Sequence, residues 1–280
     1  MTLILAATPL GNPGDASTRL KSAIVDAAII AAEDSRRFHR LCQDLEVTFS
    51  ARVVSFFTGN EEERSRELLA ELKKGITVLV VSDAGMPTIS DPGFRLLRDA
   101  IAAGVEVSVI PGPSAVTMAI ALSGLATDRF SFEGFPPRTA GARLATFEKL
   151  RFEERTMVFF EAPHRLTDSL KDAVQVFGAD RKAAICREMT KRYEESIRAT
   201  LAELLVWAND REVLGEITLV IAGAAVDSAA RTADDMVARV SEFEAAGMDR
   251  KSAIATVATE FGIAKRLVYA AVVAANKMSK

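Results

Sequence analysis

The chain has 280 residues, of which 49% are hydrophobic and 26% are charged, values that are ordinary for a globular protein. This length suits two or three domains rather than one small core. The formal net charge of −3 argues against a uniformly basic nucleic-acid-binding protein. The longest N-terminal apolar run, residues 3–7, is too short for a signal peptide or a membrane span, so we expect a cytoplasmic protein without a membrane partner.

Cysteine and histidine are scarce in this sequence. The two cysteines, Cys42 and Cys186, cannot form a disulfide framework, and with only His39 and His164 beside them they do not make a zinc cluster. We therefore expect no metal cofactor.

The first part of the chain alternates apolar runs with helical patterns. The apolar runs lie at 3–7, 27–33, 52–57, 76–82 and 105–111, and the amphipathic segments lie near 17–25, 35–45, 60–74 and 93–103. Strands that are apolar on both faces and separated by helices predict a mostly parallel sheet covered on each side. A helix between Pro113 and Gly124 follows, bounded by the proline and glycine typical of helix ends.

The second part predicts another α/β series and then helices alone. Residues 133–143 predict an exposed loop, after a boundary near residue 124. Strands are predicted at 156–161, 183–188 and 216–224, with helices at 163–177 and near 200–208, and three Ala-rich helices at 231–275. The predicted domains are therefore an N-terminal α/β domain (1–123), a C-terminal α/β domain (124–226) and a helical tail (227–280).

Three loops rich in small residues directly follow predicted strands, at residues 7–15, 82–93 and 111–115. In a parallel sheet they emerge at the carboxyl edge, where open α/β folds bind ligands. The sequence lacks a P-loop motif and any pair of glycines two positions apart, which argues against both a P-loop and a Rossmann dinucleotide site. Asp83 and Asp91 would repel phosphates but accept hydrogen bonds from an ammonium group or hydroxyls. A zwitterionic nucleoside with a cationic centre fits better than ATP; the alternative is that these loops are ordinary strand-to-helix turns.

Eight short motifs occur in a characteristic order along the chain. They are "ATPLGN" (7–12), "AAEDSRR" (31–37), "SDAGMPTISDPG" (82–93), "PGPSA" (111–115), "EGFPPR" (133–138), "FFEAPHRL" (159–166), "CREMTK" (186–191) and "GEITLVI" (215–221). This set resembles the tetrapyrrole methylase superfamily and, within it, the ribosomal small subunit methyltransferase I family. The resemblance implies two α/β domains with an S-adenosylmethionine cleft between them. It also implies methylation of a cytidine 2′-hydroxyl in the decoding region of 16S rRNA, on the 30S subunit, by a homodimer that releases S-adenosylhomocysteine.

The resemblance also implies which residues meet the cofactor. Carried over motif by motif, these residues are Leu10, Asp83, Met86, Ser114, Ala115, Phe160, Met189 and Thr218. The stretch "FFTGNEEE" (56–63) departs from the family pattern, which often has a histidine there, so no catalytic histidine is assigned to it.

A ribose hydroxyl is a weak nucleophile, and a nearby carboxylate or neutral lysine could accept its proton. The candidates are Glu161 and Lys191, which follow strands bordering the predicted cleft. The alternatives are an ion pair with Arg165 for Glu161 and a phosphate contact for Lys191. His164, after Pro163 at a helix start, fits a surface or cap position better than a base.

Basic residues supply the candidates for RNA contact. Guanidinium groups stay charged and suit phosphate better than proton transfer, which points to Arg36, Arg37, Arg165 and Arg187.

The tail sequence at 256–273 resembles a helix-turn-helix unit. In this interpretation Gly262 makes the turn and the second helix presents Lys265 and Arg266 to RNA phosphates. The alternative is a helical hairpin that packs on a partner subunit.

Two other functions stay open at this point, a tetrapyrrole methyltransferase of the same fold and a non-catalytic ribosome-assembly factor. The tail and two segments rich in Lys and Arg, at 181–192 and 250–280, favour RNA as the substrate, because a tetrapyrrole site needs neither.

Overall fold

The computed structural model describes residues 2–224, 233–261 and 263–278 of the chain, and its side chains as far as residue 275. The first sheet has five strands, β1 (Thr2–Ala6), β2 (Ile29–Ala32), β3 (Arg52–Ser55), β4 (Val78–Val81) and β5 (Glu106–Ile110). Their order is β3-β2-β4-β1-β5, and every pairing is parallel, as predicted.

Helices cover both faces of this sheet. They are α1 (Thr18–Asp26), α2 (Ser35–Asp44), α3 (Glu61–Lys73) and α4 (Phe94–Ala102). The neighbouring interior strands β2 and β4 are buried at every residue, because apolar clusters lie on both of their faces. This placement explains why their sequences are apolar throughout instead of alternating.

The second sheet is mixed. Its strands are β6 (Phe130–Gly134), β7 (Thr156–Glu161), β8 (Lys182–Arg187), β9 (Glu195–Thr200) and β10 (Ile217–Ile221), in the order β6-β7-β10-β8-β9. Only the β6–β7 pairing is parallel. Strands β6 and β9 were not predicted from the sequence. Helices α6 (Ala140–Leu150), α7 (Leu166–Phe177) and α8 (Leu201–Asn209) pack on one face of this sheet.

Helix α5 (Ala115–Ser123) connects the two sheets. It starts directly after the loop that follows β5, yet its apolar residues Val116, Ala119 and Ile120 pack against the strands of the second sheet. Gly124 ends the helix with φ of 70°, a left-handed conformation that glycine adopts without strain. The predicted boundary near residue 124 thus follows a helix that belongs to the core of the second sheet.

Three helices form the tail, α9 (Ala233–Ala245), α10 (Arg250–Glu260) and α11 (Lys265–Met278). Val240, Val257 and Val268 are buried where the three helices meet. Asp249 caps α10 by accepting the backbone N–H groups of Lys251 and Ser252 at 3.1 Å. Gly262, the predicted turn residue, lies outside the described residues.

Candidate active site

A cavity of about 420 Å³ lies between the two sheets, a size ordinary for a small-molecule site. The loops after β1, β2 and β4 form one wall, and the ends of β7, β8 and β10 form the other. The first sheet thus contributes its carboxyl edge, where parallel α/β folds bind ligands.

Backbone hydrogen bonds join two loops of the first wall. The Thr8 N–H donates to the Gly85 carbonyl at 2.9 Å, and the Gly85 N–H donates to the Thr8 carbonyl at 3.0 Å. Gly85 has φ of 78°, and a Cβ placed there would lie 3.3 Å from Leu10 Cδ2. Glycine is therefore needed for both the conformation and the close approach of Leu10.

Carboxylates dominate the polar part of this wall. The Asp83 N–H donates to Glu33 Oε2 at 3.1 Å, and Asp83 Oδ1 in turn accepts the Asp34 N–H at 3.0 Å. Asp83 Oδ2 also pairs with Arg37 Nη1 at 3.2 Å. Burial raises the pKa of both Glu33 and Asp83, because desolvation disfavours their charged forms.

The second wall is mainly apolar. Phe160 packs edge-on against Phe132 and Phe135, with ring centroids 4.8 and 5.6 Å apart. Buried Met189 and Thr218 continue the same surface. Phe135 is 53% exposed and stands at the mouth of the cavity.

The charges that line the cavity have mostly one sign. Among the described residues, Arg37 is the only basic lining residue. The acidic lining residues are Glu33, Asp83, Asp91, Glu161 and Glu216. Together with the apolar wall, this set suits a ligand that carries an aromatic group and positive charge, and it does not suit a polyphosphate.

Most of the residues predicted to meet a cofactor line this cavity. They are Leu10, Asp83, Ala115, Phe160, Met189 and Thr218. Met86 and Ser114 belong to the same loops but are not among the lining residues. Asp91, expected from sequence to accept hydrogen bonds from a ligand, lines the cavity as well, whereas Glu33, Phe135 and Glu216 were not predicted. All three lie within quoted motifs, and their positions near strand ends were the available signal.

The two predicted catalytic residues have partners within the chain. Glu161 lines the cavity, but its side chain is 0% exposed and bonds to Ser169 and to the Ala162 N–H. Lys191 pairs with Glu188 at 2.8 Å and Glu216 at 3.0 Å, outside the set of lining residues. Desolvation acts to lower the pKa of Lys191, but the two hydrogen bonds outweigh it and the pKa is raised.

The arginines predicted to contact RNA are distributed around the cavity. Arg36 pairs with Asp34 and Arg37 with Asp83, and both arginines are exposed. Arg187 pairs with Glu195 at 3.1 Å. Arg165, the fourth of these arginines, is less exposed and directly precedes α7.

Arg165 is mostly buried. Its Nη2 donates to the carbonyls of Pro136 and Pro137 at 2.5 and 3.1 Å, and its Nε lies 3.5 Å from Glu161 Oε1. These bonds fix the loop that carries Phe135.

Lys265 and Arg266 lie on the tail, apart from the cavity. Both are exposed at the start of α11, where Lys251 and Tyr269 border the same shallow depression. Within the described residues, neither Lys265 nor Arg266 forms an ion pair with an acidic side chain.

Neither a membrane-spanning helix nor a metal cluster occurs in the described part of the chain. No helix there is long and apolar enough to cross a membrane. No group of three or more His, Cys, Asp or Glu side chains there is arranged to hold a metal ion.

Comparisons with known proteins agree with this architecture. The family model described as Tetrapyrrole (Corrin/Porphyrin) Methylases matches residues 2–205. The chain is 49% identical over 276 residues to "Ribosomal RNA small subunit methyltransferase I" of Mycobacterium tuberculosis (strain ATCC 25618 / H37Rv), covering 98% of this chain and 95% of the relative.

Solved structures share the fold at low sequence identity. The methyltransferase CobJ superposes with a TM-score of 0.61 at 18% identity, covering 80% of this chain and 94% of that one. A uroporphyrin-III C-methyl transferase from Thermus thermophilus, complexed with S-adenyl homocysteine, has a TM-score of 0.54 at 18% identity and covers 79% and 96%. These comparisons confirm the fold and the resemblance inferred from the motifs. The chain belongs to the tetrapyrrole methylase family and, within it, to the ribosomal RNA small subunit methyltransferase I family.

Proposed function

We propose that this chain is an S-adenosylmethionine-dependent methyltransferase that methylates the ribose 2′-hydroxyl of a cytidine in the decoding region of 16S rRNA. The observation that carries the proposal is the cavity between the sheets, in a chain 49% identical to a ribosomal RNA small subunit methyltransferase I. One wall offers backbone and carboxylates and the other offers aromatic and apolar side chains. These are the groups that an adenosine with a charged amino-acid tail would need.

The residues present fit S-adenosylmethionine. Because residue 85 is a glycine, the space beside Leu10 stays open; a side chain at position 85 would fill it. Asp83 and its neighbours favour the positive groups of the ligand, while Phe160, Met189 and Thr218 would hold the adenosine. When bound, S-adenosylmethionine supplies a methyl group on a positively charged sulfur. We also keep Met86 and Ser114 as proposed contacts, since both belong to the same loops.

The chain itself would hold and orient the substrates. Methyl transfer to a hydroxyl needs the oxygen, the methyl carbon and the sulfur in line, so positioning supplies much of the rate. We propose that Arg36 and Arg37, in the first turn of α2, contact RNA phosphates, as do Lys265 and Arg266 on the tail. Glu161 and Lys191 are the proton acceptors proposed from sequence; both have partners within the chain, and substitution of each tests that proposal.

We further propose a homodimer that acts in the cytoplasm without a metal. The proposed domains are 1–123, 124–226 and 227–280, with α5 joining the first two, and the tail as an RNA-binding unit.

Transfer of labelled methyl groups from S-adenosylmethionine to 30S subunits tests the function. Subunits from a strain lacking this protein should accept about one methyl group each, and subunits from the parent strain should accept almost none because their site is already modified. The labelled nucleotide should be a cytidine whose 3′ phosphodiester bond resists alkali, since alkaline cleavage requires a free 2′-hydroxyl. Label in a tetrapyrrole and not in 30S subunits would contradict the proposal. Cofactor binding without transfer would indicate an assembly factor.

A further inference from the structure

Five carboxylates line the cavity, and they differ in what their oxygens contact. Those of Asp83 are both engaged, one by the Asp34 N–H at 3.0 Å and the other by Arg37 at 3.2 Å. Glu33 Oε2 accepts the Asp83 N–H at 3.1 Å and so holds the two loops together. Asp83, with both oxygens engaged, is poorly placed to accept a further proton, and Glu33 has one oxygen, Oε2, committed to a structural bond.

The two carboxylates of the second wall, Glu161 and Glu216, also have partners. Glu161 Oε1 accepts the Ala162 N–H at 2.8 Å and Oε2 bonds to Ser169, and its side chain has no exposed surface. Glu216 Oε2 pairs with Lys191 at 3.0 Å, and its side chain is 66% exposed, so water stabilises its charge. Neither environment makes a strong base that faces the cavity.

Asp91 is different. Among residues 2–224, 233–261 and 263–278 its carboxylate forms no ion pair with a basic side chain, and the nearby Ser82 hydroxyl lies 3.3 Å from the Ala84 and Gly85 carbonyls, to which it can donate. It lines the cavity and is partly buried. Its carboxylate therefore has lone pairs free for a ligand.

The backbone fixes Asp91 in this place. Thr88 and Ser90 have positive φ values of 76° and 65°, conformations that non-glycine residues adopt at a cost. On the other side of Asp91, the Gly93 and Arg95 N–H groups both donate to Glu61 Oε1, at 3.0 and 3.2 Å. Two turns with positive φ thus precede Asp91, and the hydrogen bonds to Glu61 anchor the chain directly after it.

We propose that Asp91 accepts the proton of the substrate hydroxyl during methyl transfer, an inference that rests on the proposed function. As the hydroxyl oxygen bonds to the methyl carbon, the methyl–sulfur bond breaks and its electron pair stays on sulfur, which becomes a neutral thioether. The O–H proton moves to an Asp91 carboxylate oxygen and from there to water. No other reactant is needed.

The electrostatics of the site agree with this role. Desolvation, followed by the nearby Glu33 charge, raises the pKa of Asp91 to about 7, and the nearby Ser82 hydroxyl opposes the shift. A base whose pKa lies near the working pH is the most effective kind. The charged groups around the cavity and this segment are Glu33, Arg37, Glu61, Asp83, Glu161 and Glu216.

The wild-type enzyme should consequently lose kcat/KM as the pH falls below about 7, because Asp91 is then protonated. A bound cationic cofactor should lower the pKa of Asp91, so kcat should decline at a lower pH than kcat/KM.

The test compares Asp91→Asn with wild type on 30S subunits lacking the modification. We expect kcat to fall about 100-fold or more, within the range typical of general bases, with loss of the acidic limb of the pH profile. The affinity for S-adenosylmethionine, measured by calorimetry, should change by less than about tenfold. Asp99→Asn, the same chemical change on the outer surface of α4, is the matched control and should behave as wild type.

A second measurement needs no cofactor. In protein labelled with ¹³C at aspartate carboxyl carbons, one resonance should titrate near pH 7 and be missing from Asp91→Asn. Titration of the Asp91 resonance near pH 4 would overturn the inference, as would a variant with the wild-type rate and pH profile. A loss confined to cofactor affinity would make Asp91 a cofactor contact and also overturn it. If wild type itself fails to methylate 30S subunits, the proposed function is wrong, and the titration then reports on Asp91 alone.

Discussion

Asp83 and Asp91 lie in one loop and line one cavity, yet their surroundings give them different properties. Asp83 pairs with Arg37, and two hydrogen bonds join it to the loop after β2, whereas Asp91 has the acidic Glu33 and Asp83 and the Ser82 hydroxyl nearby. A folded protein that keeps a carboxylate in such a place loses stability whenever the group is charged. The property that suits Asp91 to accept a proton should therefore be measurable as a pH-dependent loss of folding stability.

Asp91→Asn should stabilise the protein more at pH 8 than at pH 5.5. The pKa of Asp91 is about 7 in the folded chain, above its ordinary value of 3.8, so the unfolded state binds fewer protons between these values and stability falls as the pH rises through them. The variant lacks this titration. Since solvent screens the partly exposed group, we expect a gain in Tm of about 2–4 °C at pH 8, the shift that ~1 kcal/mol produces in a chain of this size.

Thermal melts of both proteins at the two pH values measure this difference. Asp99→Asn should show the same change as wild type at both. An equal effect of Asp91→Asn at the two pH values would mean that Asp91 has an ordinary pKa.

The sequence located the cavity better than it located the proton acceptor. Leu10, Phe160 and Thr218 could be predicted to line it because each belongs to a motif at a strand end. The side-chain contacts of Glu161 and Lys191 could not be predicted, because Ser169 and Glu216 reach them from other elements. Likewise, the place of Asp91 depends on the turns made at Thr88 and Ser90, which neither spacing nor periodicity reveals.

At the scale of elements, the strands that sequence reasoning missed are both edge strands. β6 and β9 lie at opposite ends of the second sheet, and neither has a buried residue. An edge strand contacts the core on less of its surface and carries more polar residues, as "ESIRAT" does, so its apolar signal is weak. The antiparallel pairings could not be predicted either. Strands β7, β8 and β10 are largely buried, so their sequences are apolar on both faces, as those of parallel strands are.

The loop between β6 and α6 depends on Arg165, and two roles for this arginine can be separated. Arg165→Met should destabilise the protein by about 1.5–3 kcal/mol, the usual value of a hydrogen bond to a charged group, because the Pro136 and Pro137 carbonyls lose their donor. The salt dependence of 30S binding should stay unchanged, since a mostly buried guanidinium that serves these carbonyls makes no phosphate contact.

Chemical denaturation and binding at several salt concentrations provide the two measurements. Arg138→Met, an exposed arginine of the same loop, is the control for stability and should cost less than about 0.5 kcal/mol. Normal stability together with a salt slope smaller by about 0.7–0.9 would instead make Arg165 a phosphate contact, as the sequence suggested.

For the whole molecule, the arrangement separates the cavity from the tail. Loops of the first sheet and strand ends of the second line the cavity, and no described residue of α9, α10 or α11 is among them. The tail has its own apolar cluster, with Val257 and Val268 at its centre. A change on the outer surface of the tail should therefore change the affinity for a large substrate without altering the cofactor site.

Reversing two charges on the tail tests that separation. Lys265→Glu combined with Arg266→Glu should weaken binding to 30S subunits and reduce the log–log salt slope by about 0.7–0.9 for each RNA phosphate that the variant no longer neutralises. Melting temperature and S-adenosylmethionine affinity should change little, because both side chains are exposed and the neighbouring core residue Val268 is untouched.

The control is Lys73→Glu with Lys74→Glu, an equal charge change on two adjacent exposed residues at the end of α3, which should leave the salt slope nearly as in wild type. Analytical ultracentrifugation supplies the remaining comparison. If the tail variant binds 30S subunits normally but dissociates into monomers, the exposed start of α11 is a subunit interface and the RNA-binding proposal for the tail is wrong.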